Sequence, residues 1–186
     1  MRAFRVVELA NNQFNTVCYS ASATGAGNDE LMDFNKDGQY DGYTQDRWSY
    51  DVLYYPLFQT YKFQNGEFIL KSTSVSIPDY PTDIKDVVLQ YLTLKVLNVE
   101  GSPEADKRLS ELCKNKDVKI EFPISVWHPA VYHTTLGIGN MIIFDIKEES
   151  NSAYAEISYN DEDNKGYKQN FYLKNVDSRW VIDGIK

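Results

Sequence analysis

The clearest chemistry in the chain lies in nine residues, Asp33-Phe34-Asn35-Lys36-Asp37-Gly38-Gln39-Tyr40-Asp41. Oxygen-bearing side chains stand at the first, third, fifth and ninth positions, with a glycine at the sixth. The carboxylates of Asp33, Asp37 and Asp41, the amide oxygen of Asn35 and the backbone carbonyl of Gln39 can converge on one point, because Gly38 permits the sharp turn between them. Calcium suits such a set, since it takes about six to eight oxygens in flexible geometry, whereas zinc or copper would call for nitrogen and sulfur ligands. The match to an EF-hand is partial: Thr44 stands where that loop carries its bidentate glutamate, and no amphipathic helix leads in, so Asp41 must close the shell. The competing reading is an acidic turn without metal, since Asn, Asp and Gly favour turns by themselves.

The elements that would position this loop are strands. Residues 4–9 and 14–19 flank Ala10-Asn11-Asn12-Gln13, which predicts a hairpin, and residues 20–28 are small and polar, a loop leading into the acidic stretch. After it, residues 48–61 carry Tyr50, Tyr54, Tyr55, Phe58 and Tyr61, interrupted by Pro56, which marks an edge or bulge. Asn65-Gly66 between alternating apolar residues is a strong hairpin signal. So many tyrosines invite a protein- or glycan-binding reading for that face; the plainer one is that tyrosine packs its ring and wets its hydroxyl on a strand.

With the loop set among such strands, the pattern Asp-x-Asn-x-Asp-Gly-x-x-Asp resembles the calcium loops of FG-GAP and related VCBS-type repeats over about residues 4–76. That resemblance implies a loop joining two antiparallel strands, with Asp33, Asn35, Asp37, the Gln39 carbonyl and Asp41 as calcium ligands. A propeller needs several blades, and a single such loop is present, so no complete propeller is expected.

The pattern changes at residues 78–81, Pro-Asp-Tyr-Pro, which read as a short stiff linker. Thr82 or Asp83 can cap a helix over 84–98, apolar around most of its circumference, and Ser102-Pro103 opens a second helix with one apolar face. Alternation over 118–126 predicts a strand, and 141–146, 153–160, 167–174 and 180–185 predict four more joined by polar turns. Helices followed by a meander ending in Trp180-Val181-Ile182 resemble the cystatin-like cone of nuclear-transport-factor-two-like domains over residues 82–186. The expected fold class is therefore α+β: a small all-β unit with one calcium loop, residues 1–77, followed by a cystatin-like cone of helices packed on an antiparallel sheet, residues 82–186.

Other chemistry is sparse. His128 and His133 are five apart and flank Pro129, which argues against a helical metal pair and for loop residues; together with Trp127 and Tyr132 they form a candidate pocket rim. Residues 161–166, Asp-Glu-Asp-Asn-Lys-Gly, look like a second metal loop until Lys165 is seen at the fifth ligand position. No Gly-x-Ser-x-Gly nucleophile motif appears.

The whole chain is compatible with these expectations. At 42% hydrophobic and 14% aromatic it is too apolar for disorder, and no apolar run reaches the roughly 18 residues of a membrane span. A net charge of −8 without Lys/Arg clusters disfavours nucleic acid. Cys18 and Cys113 allow one bridge or two thiols. Met1 leads almost at once into a strand-like pattern, with no leader segment between. A modest single loop needs calcium at roughly 0.1–1 mM, which points outside the cytosol. The expected function is thus a non-enzymatic, calcium-stabilised binding or adaptor module of the extracellular space or cell envelope, its signal or anchor absent from this chain. The alternative is an enzyme or small-molecule binder using the concave face of the cone.

Overall fold

The computed structural model describes residues 2–22, 28–47, 55–97, 102–113, 124–139 and 141–186. Within them run strands β1 (Arg2–Ala10), β2 (Gln13–Ser22), β3 (Asn28–Met32), β4 (Gly42–Arg47), β5 (Leu57–Gln64) and β6 (Glu67–Val75), then helices α1 (Ile84–Leu97), α2 (Pro103–Leu112) and α3 (Ile124–Leu136). Strands β7 (Ile143–Glu148), β8 (Ser152–Asn160), β9 (Gly166–Val176) and β10 (Arg179–Ile185) follow. The chain divides into two compact units, Met1–Ile77 with Glu100–Glu104, and Pro78–Val99 with Ala105–Lys186.

In the first unit, β1 and β2 form a two-stranded antiparallel ribbon, and β3-β4-β5-β6 form a four-stranded meander. Two-residue turns set both registers. Asn11 and Asn12 lie at φ 52° and 57°, Asn65 and Gly66 at 54° and 85°. This left-handed pair matches the twist of the flanking strands, and Asn and Gly reach it at least cost. Tyr43 on β4 is buried, directly opposite Tyr61 on β5, their rings stacked at 4.5 Å and 2° apart. Phe68 meets Tyr43 edge-on at 5.0 Å. The aromatic face anticipated along 48–61 is thus split: Tyr61 turns inward, Phe58 is exposed, and residues 48–54, Tyr50 and Tyr54 among them, lie outside the described residues.

In the second unit the sheet order is β10-β9-β8-β7, again a meander. Along β8 buried and half-buried positions alternate, and Ala155, Ile157, Phe171, Leu173 and Ile182 make the inner face. Asp83 caps α1, its carboxylate accepting the Asp86 N–H at 2.8 Å. The buried side chains of α1 include Val87, Val88, Tyr91 and Leu92, with the Tyr91 ring 6.1 Å from that of Phe171; α1 lies against β7, β8 and β10, and α3 against α1. Tyr80, in the stretch that reads as a linker, is fastened into this unit: its hydroxyl donates to the Trp180 carbonyl at 2.8 Å, and its ring meets the guanidinium groups of Arg108 and Arg179.

Two sequence expectations are overturned. The strand expected over 118–126 does not form over its final residues: residues 124–126 begin α3, while 114–123 lie outside the described residues. The governing signal was helical spacing further on, since Trp127, Ala130 and Val131 are buried along one side. Pro129 sits inside the helix, and its position is exposed. The fold class α+β with a cystatin-like cone, helices packed on the sheet, is also wrong. Half of the described residues are in strands, they fall into three separate antiparallel sheets, and the three helices are short. The local hydrophobic period identified strands and helices one at a time, but division into sheets depends on non-local pairing that the period does not encode.

No disulfide joins Cys18 and Cys113. No helix among the described residues is long and apolar enough to cross a membrane.

Candidate metal centre

Residues 33–41 connect β3 to β4, which pair antiparallel and close on the Met32–Gly42 rung. The loop tightens on its own oxygens. Asp33 accepts N–H groups from Asp37 at 3.2 Å and Gly38 at 2.8 Å; Asn35 Oδ1 accepts that of Asp37 at 2.9 Å. Asp37 Oδ1 accepts the Gln39 N–H at 2.8 Å, and Asp41 Oδ1 the Phe34 N–H at 2.7 Å. Gly38 takes φ 90° and Lys36 φ 62°. Those two left-handed residues wrap the backbone round the side chains, at little cost for Gly38 and some strain for Lys36.

The loop is anchored at its end. Asp41 donates its N–H to Met32 and accepts the Phe63 N–H at 2.8 Å, tying the loop to both β3 and β5. Phe34 folds back over Gly42, and the Lys62 ammonium stands 5.5 Å from the centre of the Phe34 ring.

Four of the five expected ligands, Asp33, Asn35, Asp37 and Asp41, therefore turn into one loop, joined by internal hydrogen bonds. They do not form a ready cage. Among the described residues no group of three or more His, Cys, Asp or Glu side chains stands close enough to hold a metal. Asn35 instead donates its amide to Asp37 Oδ2 at 3.0 Å. The donor set nevertheless fits a hard cation chemically, since each carboxylate offers about four lone-pair sites and an oxygen that accepts one N–H keeps another.

The candidate pocket rim is distributed differently. Trp127 is core, its ring 5.1 Å from that of Tyr159, whose hydroxyl donates to the Val126 carbonyl. His128 is exposed, while Tyr132 and His133 are half-buried with rings 5.8 Å apart. All four ride on α3 and not on a loop, and five residues of helix turn His128 and His133 away from a common side. Gly137, at φ 68°, ends the helix, and Ile138 donates its N–H to the His133 carbonyl at 3.0 Å. His133 Nδ1 is buried without a hydrogen-bond partner, and a Cβ at Gly139 would stand 3.2 Å from it.

In the other acidic turn, Asp161 accepts N–H groups from Asp163 and Lys165 and the Tyr167 hydroxyl. These donors, the Lys165 N–H first, hold its carboxyl below the usual range.

One feature escaped sequence reasoning. The face of the C-terminal sheet turned away from α1 holds a cleft of about 390 Å³ lined by Tyr154, Tyr172, Lys147, Glu149, Lys174 and Asp183. Its only sequence signal is the interruption of the apolar run in β10 by Asp183-Gly184. No family model, curated protein or solved structure matches the chain.

Proposed function

We propose that the chain is a non-enzymatic binding or adaptor module of the extracellular space or cell envelope, stabilised by one calcium ion at residues 33–41 and carrying a protein or glycan ligand. The observation that supports the calcium is the inward turn of Asp33, Asn35, Asp37 and Asp41 in a loop held at both ends by strands. Calcium would supply electrostatic cross-linking. The three carboxylates repel one another, and a cation bound by them and by the Asn35 and Gln39 oxygens would bind the folded loop in preference to the open chain. Asn35 would then present its oxygen and give up its amide contact with Asp37.

The test is thermal unfolding of the full chain with calcium and with chelator. At ten to a hundred times the dissociation constant the expected gain is about 1.4–2.7 kcal/mol. A melting curve indifferent to calcium, or an equal gain in an Asp33→Ala, Asp37→Ala double variant, removes the proposal.

A further inference from the structure

We propose that the cleft on the outer face of the C-terminal sheet binds a neutral saccharide of one or two rings. This deepens the binding-module reading and rests on it only in that the chain carries a ligand; it does not depend on the calcium loop.

The cleft begins with a bulge. Ile182 opposes Leu173 and Ile185 opposes Phe171, while Gly184 opposes Tyr172, so the register shifts by one residue between Ile182 and Gly184. The extra residue keeps both isoleucines in the core and frees Asp183 and Gly184 from it. Such bulges re-aim a side chain. Here the Asp183 carboxylate meets Lys174 Nζ at 2.7 Å.

The second component is aromatic. A Cβ at Gly184 would lie 4.0 Å from Tyr172 Cδ2, so one edge of the Tyr172 ring runs beside bare backbone, while the Lys186 ammonium stands 5.5 Å from the ring centre. It is 39% exposed, and Tyr154 meets it at 5.5 Å with the planes 62° apart. The Tyr154 hydroxyl donates to Asn170 Oδ1 at 2.9 Å, which fixes the ring. Two oriented tyrosines offer a large, stiff contact area at small entropic cost.

Charge selects the ligand class. Lys147, Lys174, Glu149 and Asp183 all line the cleft, two cations and two anions, of which Lys174 and Asp183 already pair with one another. A polyanion meets the carboxylates and a chain of net charge −8; a polycation meets the ammonium groups. An apolar ligand would strip water from four charges without replacing its hydrogen bonds. A pyranose satisfies both halves of the site: its C–H face lies on a tyrosine ring, and its hydroxyls donate to Asp183 and accept from Lys174. The volume stands at the small end of the usual range for ligand sites, about 300–1,000 Å³.

The experiment is ligand-observed NMR and calorimetry on the full chain, in calcium and in chelator, with lactose, maltose, cellobiose and diacetylchitobiose as probes and sialyllactose as the anionic comparison. At least one neutral disaccharide should saturate in both buffers, more tightly than sialyllactose. Tyr172→Ala should weaken it by about tenfold or more, the loss of one well-made contact, while Tyr172→Phe retains it. Both variants should melt within a few degrees of the parent; if Tyr172→Ala does not, Asp183→Asn gives the same reading through the hydrogen-bonding half. Absence of saturation by every neutral sugar, tighter binding of sialyllactose, or undiminished binding in these variants would overturn the proposal. Because melting reports the calcium loop and titration reports the cleft, failure of either leaves the other legible.

Discussion

Phe34 occupies the space that a side chain at Gly42 would need. A Cβ there would come within 2.5 Å of the Phe34 ring and 2.2 Å of the Tyr61 carbonyl oxygen. The first obstacle is a side chain that can swing aside; the second is backbone of the neighbouring strand, which cannot move without opening the β4–β5 ladder. Gly42→Ala should therefore destabilise the N-terminal unit by about 1–3 kcal/mol, as overpacking does. Phe34→Ala in the same chain should not restore it. Urea unfolding of the two variants decides this; full rescue would mean that the ring alone excludes the methyl group.

A second prediction concerns the turn between β9 and β10. Asp177 and Ser178 occupy φ 50° and 64°. Both are L residues held in left-handed conformation, where each costs about 1–2 kcal/mol relative to an unstrained alternative. Replacing the pair by Asn-Gly supplies residues that reach this turn readily. The double variant should melt higher, by the equivalent of about 1 kcal/mol. An unchanged melting temperature would show that the turn relaxes the strain by other means.

Trp127 and Tyr159 join α3 to the C-terminal sheet. Trp127→Ala should cost about 3–5 kcal/mol, the cost of emptying a fully packed aromatic site. Tyr159→Phe removes only the hydrogen bond to the Val126 carbonyl and should cost about 0.5–1.5 kcal/mol. Denaturant titrations followed by tryptophan fluorescence separate them. Equal costs would contradict the ranking.

Acid should loosen the β8–β9 hairpin of the C-terminal unit first. The Lys168 ammonium beside Glu156 holds that carboxyl below its ordinary value, and the Lys165 N–H does the same for Asp161. A carboxyl lowered by folding contributes stability that is complete above its unfolded pKa, about 4. That contribution is lost as pH falls through the lower folded value. Carboxyl NMR titrations should show both groups titrating below the unfolded range, and Asp161→Asn should flatten the acid limb of the stability curve. Ordinary midpoints for both would remove this account.

Much of the local structure was legible in the residues. Asn11-Asn12 and Asn65-Gly66 are turns because few other pairs tolerate two successive left-handed residues, and Asp83 caps α1 because its carboxylate reaches the Asp86 N–H. The acidic loop was visible because its spacing is also its hydrogen-bonding pattern. What stayed hidden was non-local. The strand expected over 118–126 was extended through 124–126 because a short apolar run carries little phase, and burial of Trp127, Ala130 and Val131 is what assigns those last residues to α3. The cleft was hidden for the same reason. Tyr154 and Tyr172 are eighteen residues apart in sequence, and only the pairing of β8 with β9 makes them neighbours.

In all three sheets each strand pairs with the strand next to it in sequence. Each ribbon can therefore close from its own turn as soon as both arms leave the ribosome, with little loop entropy to overcome. The parallel bridge from Cys113 to Ile182 works on another scale, since it spans most of the second unit. Joining them must wait for the last strand to be synthesised, so that bridge should be the late event. Pulse-labelled hydrogen exchange should find the β8–β9 amides protected before that of Ile182; the reverse order would mean that the chain is drawn together first and zipped afterwards.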